Sequence, residues 1–453
     1  MAERAGAADL GQLVVDVGSV PNQIGAVLTL DGVGEGDVAR LYAVLGDRLA
    51  GVPRLRQRLV TARRGGGGAV WVEDPGFDVA RHLEVVDCPA PGDEAVLLAL
   101  AAGRVTAPLP STAPRWRATL VTGLTGGGAA LIVVFHHVLA DGLGGLAVLA
   151  RLVDGAAEVP AVPGAATGTS STRTRPGRRS RLARVLRRLA ALWPRLQAVR
   201  RELGARPTFA TRCSLNHPTG PQREVAVVRT ELAALKAVAH AHGDATVNDV
   251  LLAVIAGALG TLLRSRGEQV DELVATVMVA AAAAGGAAGA TRGGSAGGST
   301  GPPAGNQVGI APIALPTGGT LADRLPTIGA RTRPRTRPRM QARRGASAAP
   351  LGAVMAILAR LHLLRWCIDH QRMVHTFVTN LRGPADPVRI AGVTVTGLVP
   401  ISLATGNVTV AFAAMSYAGT MTVTVVTDPT HHPDRDVLLR ALEAELVTGR
   451  PGS

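Results

Sequence analysis

Lysine is almost missing from this 453-residue chain: Lys236 is its only occurrence. Arginine supplies the other basic charge, and the abundance of Ala, Gly, Pro and Val beside it fits a GC-rich coding bias. The formal net charge of +15 is therefore weak evidence for a nucleic-acid partner. No basic stretch is interleaved with aromatics in the way a single-strand binding surface requires, so no nucleic acid is expected. Aromatics are scarce in any case, at 2%, and the cores must be built from Ala, Val and Leu. The three cysteines, Cys88, Cys213 and Cys367, are odd in number and far apart. They argue against a disulfide framework and for a reducing compartment. Met1-Ala2-Glu3-Arg4 begins no charged-then-apolar signal pattern, and the chain reads as cytoplasmic. The longest weakly apolar run, Leu273–Ala290, is mostly Ala and Gly. It lacks the strong hydrophobicity of about 20 spanning residues, so no transmembrane helix is expected.

What is present is globular: 47% hydrophobic residues with 18% charged, in a chain long enough for two or three domains. Its most informative feature is His136-His137-Val138-Leu139-Ala140-Asp141-Gly142, which reads HHxxxDG. The apolar run Ala129–Phe135 precedes it and reads as a buried strand; Leu143–Val153 follows with helical spacing. A histidine pair is thus delivered at a strand end. Histidine is the side chain best suited to take a proton from an alcohol near neutral pH. Asp141 and Gly142 close the turn, which needs a short polar side chain and a residue without Cβ. Alternatively, the pair is a core histidine beside an exposed one. Half of a metal site is less apt, because no further Cys, His or acid cluster stands nearby.

Strand-like and helix-like patterns alternate through the first segment. Ile24–Leu30 and Ala69–Val72 read as strands, Val38–Leu49 and Asp93–Arg104 as helices, and Arg117–Thr122 as a strand leading to that of His136. The alternation predicts an α/β sandwich of layers. A first domain is read at 1–158, a linker with a basic helix at 159–207, and a second domain at 208–453. The linker opens with Pro, Gly, Ser and Thr from Val159 to Pro176. Its helix, Ser180–Leu203, sets Leu182, Val185, Leu186, Leu189, Leu192, Trp193 and Leu196 at threes and fours among arginines, with Pro194 as a kink. Two roles fit it: packing between domains with a solvated basic face, or lying on an anionic membrane or lipid-particle surface.

In the second segment Glu224–Arg229 reads as a strand, and Glu231–His242 and Val247–Arg264 as helices. Ala280–Gly305 is nearly all Ala, Gly, Ser and Thr and reads as a loop. Asn306–Leu315 resumes as a strand and Ala349–Leu364 as a helix. Strands at Thr376–Thr379, Val393–Val399, Thr409–Met415 and Met421–Thr427 precede a last helix, Val437–Leu446. A second histidine pair, His431-His432, lacks the Asp-Gly and reads as a surface turn.

Beyond HHVLADG, a series of short stretches recurs in a specific order: Trp71 with Asp74 and Phe77-Asp78; Pro108-Leu109, Pro114 and Trp116; Leu215-Asn216 with Gly220-Pro221; Thr246-Val247-Asn248-Asp249. They continue with Gly305-Asn306-Gln307, Leu315-Pro316, Thr379-Asn380-Leu381-Arg382-Gly383-Pro384, and Ser416-Tyr417 with Gly419. By these residues the chain resembles, over nearly its whole length, the bacterial wax ester synthase/acyl-CoA:diacylglycerol acyltransferase family. The wider superfamily sharing the histidine motif includes chloramphenicol acetyltransferase and peptide-synthetase condensation domains.

The resemblance implies two chloramphenicol-acetyltransferase-like domains with a channel between them. It also implies transfer of a long-chain acyl group from acyl-CoA to diacylglycerol or a fatty alcohol. In that reading His137 is the general base. His136 orients the loop, Asp141 fixes it through an arginine ion pair, and Gly142, Asn248, Asp249 and Asn306 support the site or its channel. Acyl-CoA is a co-substrate, and no cofactor or metal is implied. The family's usual Asp-Arg is Pro110-Ser111 here, its Pro-Leu-Trp is Pro114-Arg115-Trp116, and its Val-Pro is Leu381-Arg382. These departures leave two other readings: a specialised acyltransferase acting on a polyketide or glycolipid alcohol, and a catalytically silent lipid-binding homologue.

Overall fold

The computed structural model describes residues 3–61, 69–155, 210–280, 308–333, 358 and 363–448. The linker and its basic helix, Asn306, and most of the helix expected at Ala349–Leu364 lie outside the described residues. The first part of the chain runs β1 (Glu3–Arg4), α1 (Ala7–Val14), β2 (Gln23–Asp31), α2 (Glu35–Ala50), β3 (Gln57–Thr61), β4 (Ala69–Glu73) and β5 (Leu83–Asp87). It continues with α3 (Glu94–Thr106), β6 (Trp116–Thr122), β7 (Ala129–His136) and α4 (Gly142–Arg151). Then come β8 (Glu224–Glu231), α5 (Leu232–Ala241), α6 (Val247–Ser265), β9 (Glu272–Ala280), β10 (Val308–Pro316), α7 (Leu321–Thr332) and α8 (Leu364–Asp369). The described chain ends with β11 (Thr376–Arg382), β12 (Arg389–Ile390), β13 (Val393–Ser402), β14 (Val410–Tyr417), β15 (Thr420–Thr427) and α9 (Arg435–Thr448).

Every residue of β7 is buried, as its unbroken apolar sequence demands of a strand covered on both faces. Successive side chains go to opposite faces. Leu131, Val133 and Phe135 join a core with Leu41, Leu45 and Leu49 of α2. Ile132 and Val134 join another with Leu97, Ala101 and Val105 of α3. Strand β7 is central in a six-stranded sheet of order β12-β13-β2-β7-β6-β5. The second large sheet has order β10-β9-β11-β14-β15-β8, and β1, β4 and β3 form a small third one. In the second sheet β11 runs parallel to both of its neighbours.

Helix α6 is apolar all round and accordingly buried, the central helix of the second core. It is long and apolar enough to cross a membrane, yet most of it lies inside the protein. Gly257 and Gly260 let neighbours approach it. At Gly260 a Cβ would come within 2.7 Å of the Thr317 carbonyl, and at Gly257 it would collide with the paired side chains of Arg324 and Glu445.

Two strands cross the division read from sequence. Strands β12 and β13, from the second segment, belong to the first sheet, where β13 pairs antiparallel with β2 from Val395↔Leu30 to Ser402↔Ile24. Val399 and Ile401 then share a core with Val27 and Ile132 of the first sheet and Val225 and Val426 of the second. A boundary at 208 divides the chain but not the sheets. The reason is local: an apolar strand of ten residues carries no mark of which sheet will accept its edge.

Candidate active site

The HHxxxDG segment closes β7 and opens α4. From Ala129 to Asp141 every residue is buried except His137. Val138, Leu139 and Ala140 sink into a core that also contains Met415 and Tyr417 of β14, with Leu381 of β11 packed against it. The burial of its neighbours holds the turn while His137 keeps access to the outside.

Asp141 is the N-cap of α4, its carboxylate accepting from the Gly144 N–H at 2.8 Å. Capping satisfies one of the helix's unpaired donors, so Asp141 supports the loop through the start of α4. Gly142 is the first helical residue and has no left-handed φ. The turn therefore does not require its conformational freedom.

The two histidines differ in environment. His136 is buried; its Nδ1 accepts the Val138 N–H at 3.1 Å and its Nε2 meets Asp16 Oδ2 at 2.8 Å. A nitrogen that accepts an N–H bears no proton, so the proton is assigned to Nε2, which donates to Asp16. The burial of Asp16 would raise its carboxyl, but the hydrogen bonds from His136 and the Asn22 N–H, with the nearby Arg115 guanidinium, hold it below the ordinary range.

His137 is pushed below its usual 6.5, chiefly by desolvation; its own backbone carbonyl and the charge of Asp141 partly oppose that. Its Nδ1 is buried. A neutral imidazole is the form a general base needs.

Four residues that sequence reasoning missed surround the pair: Asp16, Asn22, Gln23 and Arg115. The Asn22 carbonyl accepts the His137 N–H at 2.8 Å. Gln23 lies opposite His136 in the β2–β7 register, and its buried amide reaches the carbonyls of Val105 and Ala107 and the N–H of Leu109. The Pro108-Leu109 stretch is thereby tied to the histidine strand. A polar glutamine opening an apolar strand was the one signal available; Asp16 carried none.

The scarce aromatics build the wall behind this loop. Trp116 stacks on His82 at 4.7 Å and donates to the Leu55 carbonyl at 2.7 Å. Phe77 also stacks on His82, at 5.6 Å, and Trp71 carries the Arg54 guanidinium at 4.5 Å.

In the second half, Asn248 accepts from Asn380 Nδ2 at 3.3 Å. Two of the sequence stretches, on α6 and β11, are thus brought together. Asp249 is buried and structural: it accepts from the N–H and hydroxyl of Thr246 and from the Thr332 hydroxyl, fastening the end of α7 to the start of α6. The pair His431-His432 is no simple surface turn. His432 is buried, meeting Thr409 Oγ1 at 2.8 Å and Arg266 at 3.2 Å, because the turn before α9 folds back under Arg266. A cavity of about 460 Å³ is lined by Cys213, Asn216, His217, His370 and Arg372, among others; it includes Asn216 of the family-like stretches but none of the expected site residues His136, His137, Asp141, Gly142, Asn248 and Asp249. Burial raises the Cys213 thiol to about 11, which removes it as a nucleophile.

A family model for the wax ester synthase/diacylglycerol acyltransferase catalytic domain matches residues 6–251, and one for the WS/DGAT C-terminal domain matches 304–448. The chain belongs to this family. A putative diacylglycerol O-acyltransferase of Mycobacterium tuberculosis is 30% identical over 261 residues, 54% of this chain and 52% of the relative. The chain thus spans about half the length of that relative. A probable diacylglycerol O-acyltransferase of the same organism is 28% identical over 436 residues, covering 93% of this chain and 89% of the relative. Among solved structures, the wax ester synthase/diacylglycerol acyltransferase from Marinobacter aquaeolei VT8 aligns with TM-score 0.68 at 22% identity, covering 99% of this chain and 98% of that one. A starter condensation domain of rhizomide synthetase in complex with C8-CoA aligns with TM-score 0.56 at 17% identity, covering 99% and 95%. These likenesses show the two-domain, condensation-like α/β fold that the sequence led us to expect.

Proposed function

We propose that this chain is an acyl-CoA-dependent O-acyltransferase that moves a long-chain acyl group to a lipid alcohol, diacylglycerol or a fatty alcohol. The observation that carries the reading is the partly accessible His137 between buried neighbours from Ala129 to Asp141, with its ring pushed toward the neutral form by desolvation. Family membership and the relatives' names support acyl transfer to an alcohol, and the C8-CoA complex of the condensation domain supports a CoA thioester as donor.

His137 Nε2 takes the hydroxyl proton as the alcohol oxygen attacks the thioester carbonyl carbon. The oxyanion forms in a site with little water, where fixed donors act strongly. As it collapses, the C–S bond breaks, and the imidazolium returns its proton to the departing CoA sulfur. The ester and free CoA thiol balance the step. General-base action contributes roughly 10²–10⁴-fold, and positioning of the two substrates the remainder. No metal or prosthetic group enters this chemistry. In this reading the substrates meet between the two halves, and Asn248, hydrogen-bonded to Asn380, is the second-half residue assigned to shape the site. A cytoplasmic protein, peripheral at the inner membrane or lipid particles, would suit lipid substrates.

The test is CoA-thiol release by purified protein from palmitoyl-CoA with hexadecanol, dioleoylglycerol or no acceptor. Acceptor-dependent release, lost in His137→Ala, is the expected result and names the alcohol class. Wild-type turnover in folded His137→Ala would refute the mechanism.

A further inference from the structure

Asp16 lies in the loop between α1 and β2, and each of its carboxylate oxygens has a separate donor. Oδ1 accepts the backbone N–H of Asn22 at 2.8 Å. Oδ2 accepts Nε2–H of His136 at 2.8 Å, with Arg115 Nη1 at 3.7 Å. Asn22 in turn presents its carbonyl to the His137 N–H at 2.8 Å, and its side chain is anchored on Gln12 Oε1 at 2.8 Å. On the other side, the His136 ring accepts the Val138 N–H at 3.1 Å, and the His136 N–H reaches the Arg115 carbonyl at 3.0 Å. The peptide groups on both sides of His137 are therefore tied, directly or through one residue, to the Asp16 carboxylate.

Resting on the acyltransferase reading, we infer that Asp16 is a positioning residue of this site. It holds His136 with its proton on Nε2 and fixes the backbone that aims the His137 ring. The inference stands on the geometry of the donors. Asn22 N–H, His136 Nε2–H and the Arg115 guanidinium all face Asp16 as donors, so both of its oxygens must accept. An asparagine in its place has one accepting oxygen and one donating nitrogen. It leaves Asn22 N–H facing an N–H, or else makes His136 move its proton to Nδ1, where it confronts the Val138 N–H. A carboxylate meets both demands and an amide of equal size does not.

The experiment pairs kinetics on Asp16→Asn and Asp16→Glu with ¹⁵N spectra of histidine-labelled protein, His136 being assigned from a His136→Gln sample. In wild type, His136 should be the neutral Nε2–H tautomer, and its signals should change in Asp16→Asn. That variant should melt as wild type does yet lose roughly 10–100-fold in kcat, the size expected for a misplaced base. KM for acyl-CoA should stay within about twofold, because the loss is confined to the transition state. Asp16→Glu, which keeps two accepting oxygens, should recover part of the rate. An Nδ1–H tautomer in wild type, or wild-type kcat in folded Asp16→Asn, overturns the inference. If Asp16→Asn does not fold, a wild-type tautomer on Nε2 with partial kcat in Asp16→Glu supports it, and an Nδ1–H tautomer refutes it. If the wild-type protein turns over no acyl-CoA with any alcohol, the acyl-transfer role falls with the function, and the spectra alone show whether Asp16 sets the His136 proton.

Discussion

Gln23 and His136 face each other as register partners on β2 and β7, and the glutamine's buried amide holds the segment that follows α3 against the histidine strand. Replacing it with an apolar residue of similar size leaves two carbonyls and one N–H without that partner. Gln23→Leu should cost about 1–3 kcal/mol, the penalty for buried unpaired polar groups. Urea unfolding checks this, and an unchanged midpoint would show that the amide is not what holds the 105–109 segment.

Activity should fall on the acid side at a pH lower than an ordinary histidine dictates. Desolvation holds His137 below 6.5, and only the neutral ring accepts a proton. The kcat/KM profile for acyl-CoA should therefore rise through a pKa below 6.5 and be level across neutrality. A limb centred above 6.5 would contradict the desolvated base.

A different histidine should govern acid stability. Desolvation above all, with the Arg266 charge, lowers His432 to about 4. Between about 6.5 and about 4 the unfolded chain binds a proton there that the folded chain does not. Stability should thus fall with decreasing pH across this window, by about 1.4 kcal/mol per unit from this group. His432→Gln should flatten the slope without abolishing it, since His82, His137 and His375 are also lowered by burial. Denaturant midpoints from pH 4 to 7 give the comparison, and identical slopes would exclude His432.

Gly260 should not accept a side chain. Its Cβ would lie 2.7 Å from the Thr317 carbonyl oxygen and 2.9 Å from Thr317 Cβ, so β10 or α6 must move. Gly260→Ala should destabilise by about 1–3 kcal/mol, as overpacking does. A thermal melt equal to wild type would show that the two elements can shift freely.

The sequence by itself determined where the histidine pair sits. Between an unbroken apolar run and a helical one it reads as a strand end entering a helix, and the pair lies where β7 ends, ahead of α4. It also determined most elements: β2, β6, β7, α6 and β15 lie where alternation or apolar spacing placed them, within a residue or two. Tertiary structure alone decided which sheet received β13, since edge pairing depends on what is left open rather than on the strand's own residues. It alone brought Asp16 to His136 across 120 positions, and made His432 a core residue and Asp141 a helix cap. Hydrogen bonds between distant segments leave no period in the sequence, and a single aspartate or histidine looks the same in a loop as it does at the centre of a network.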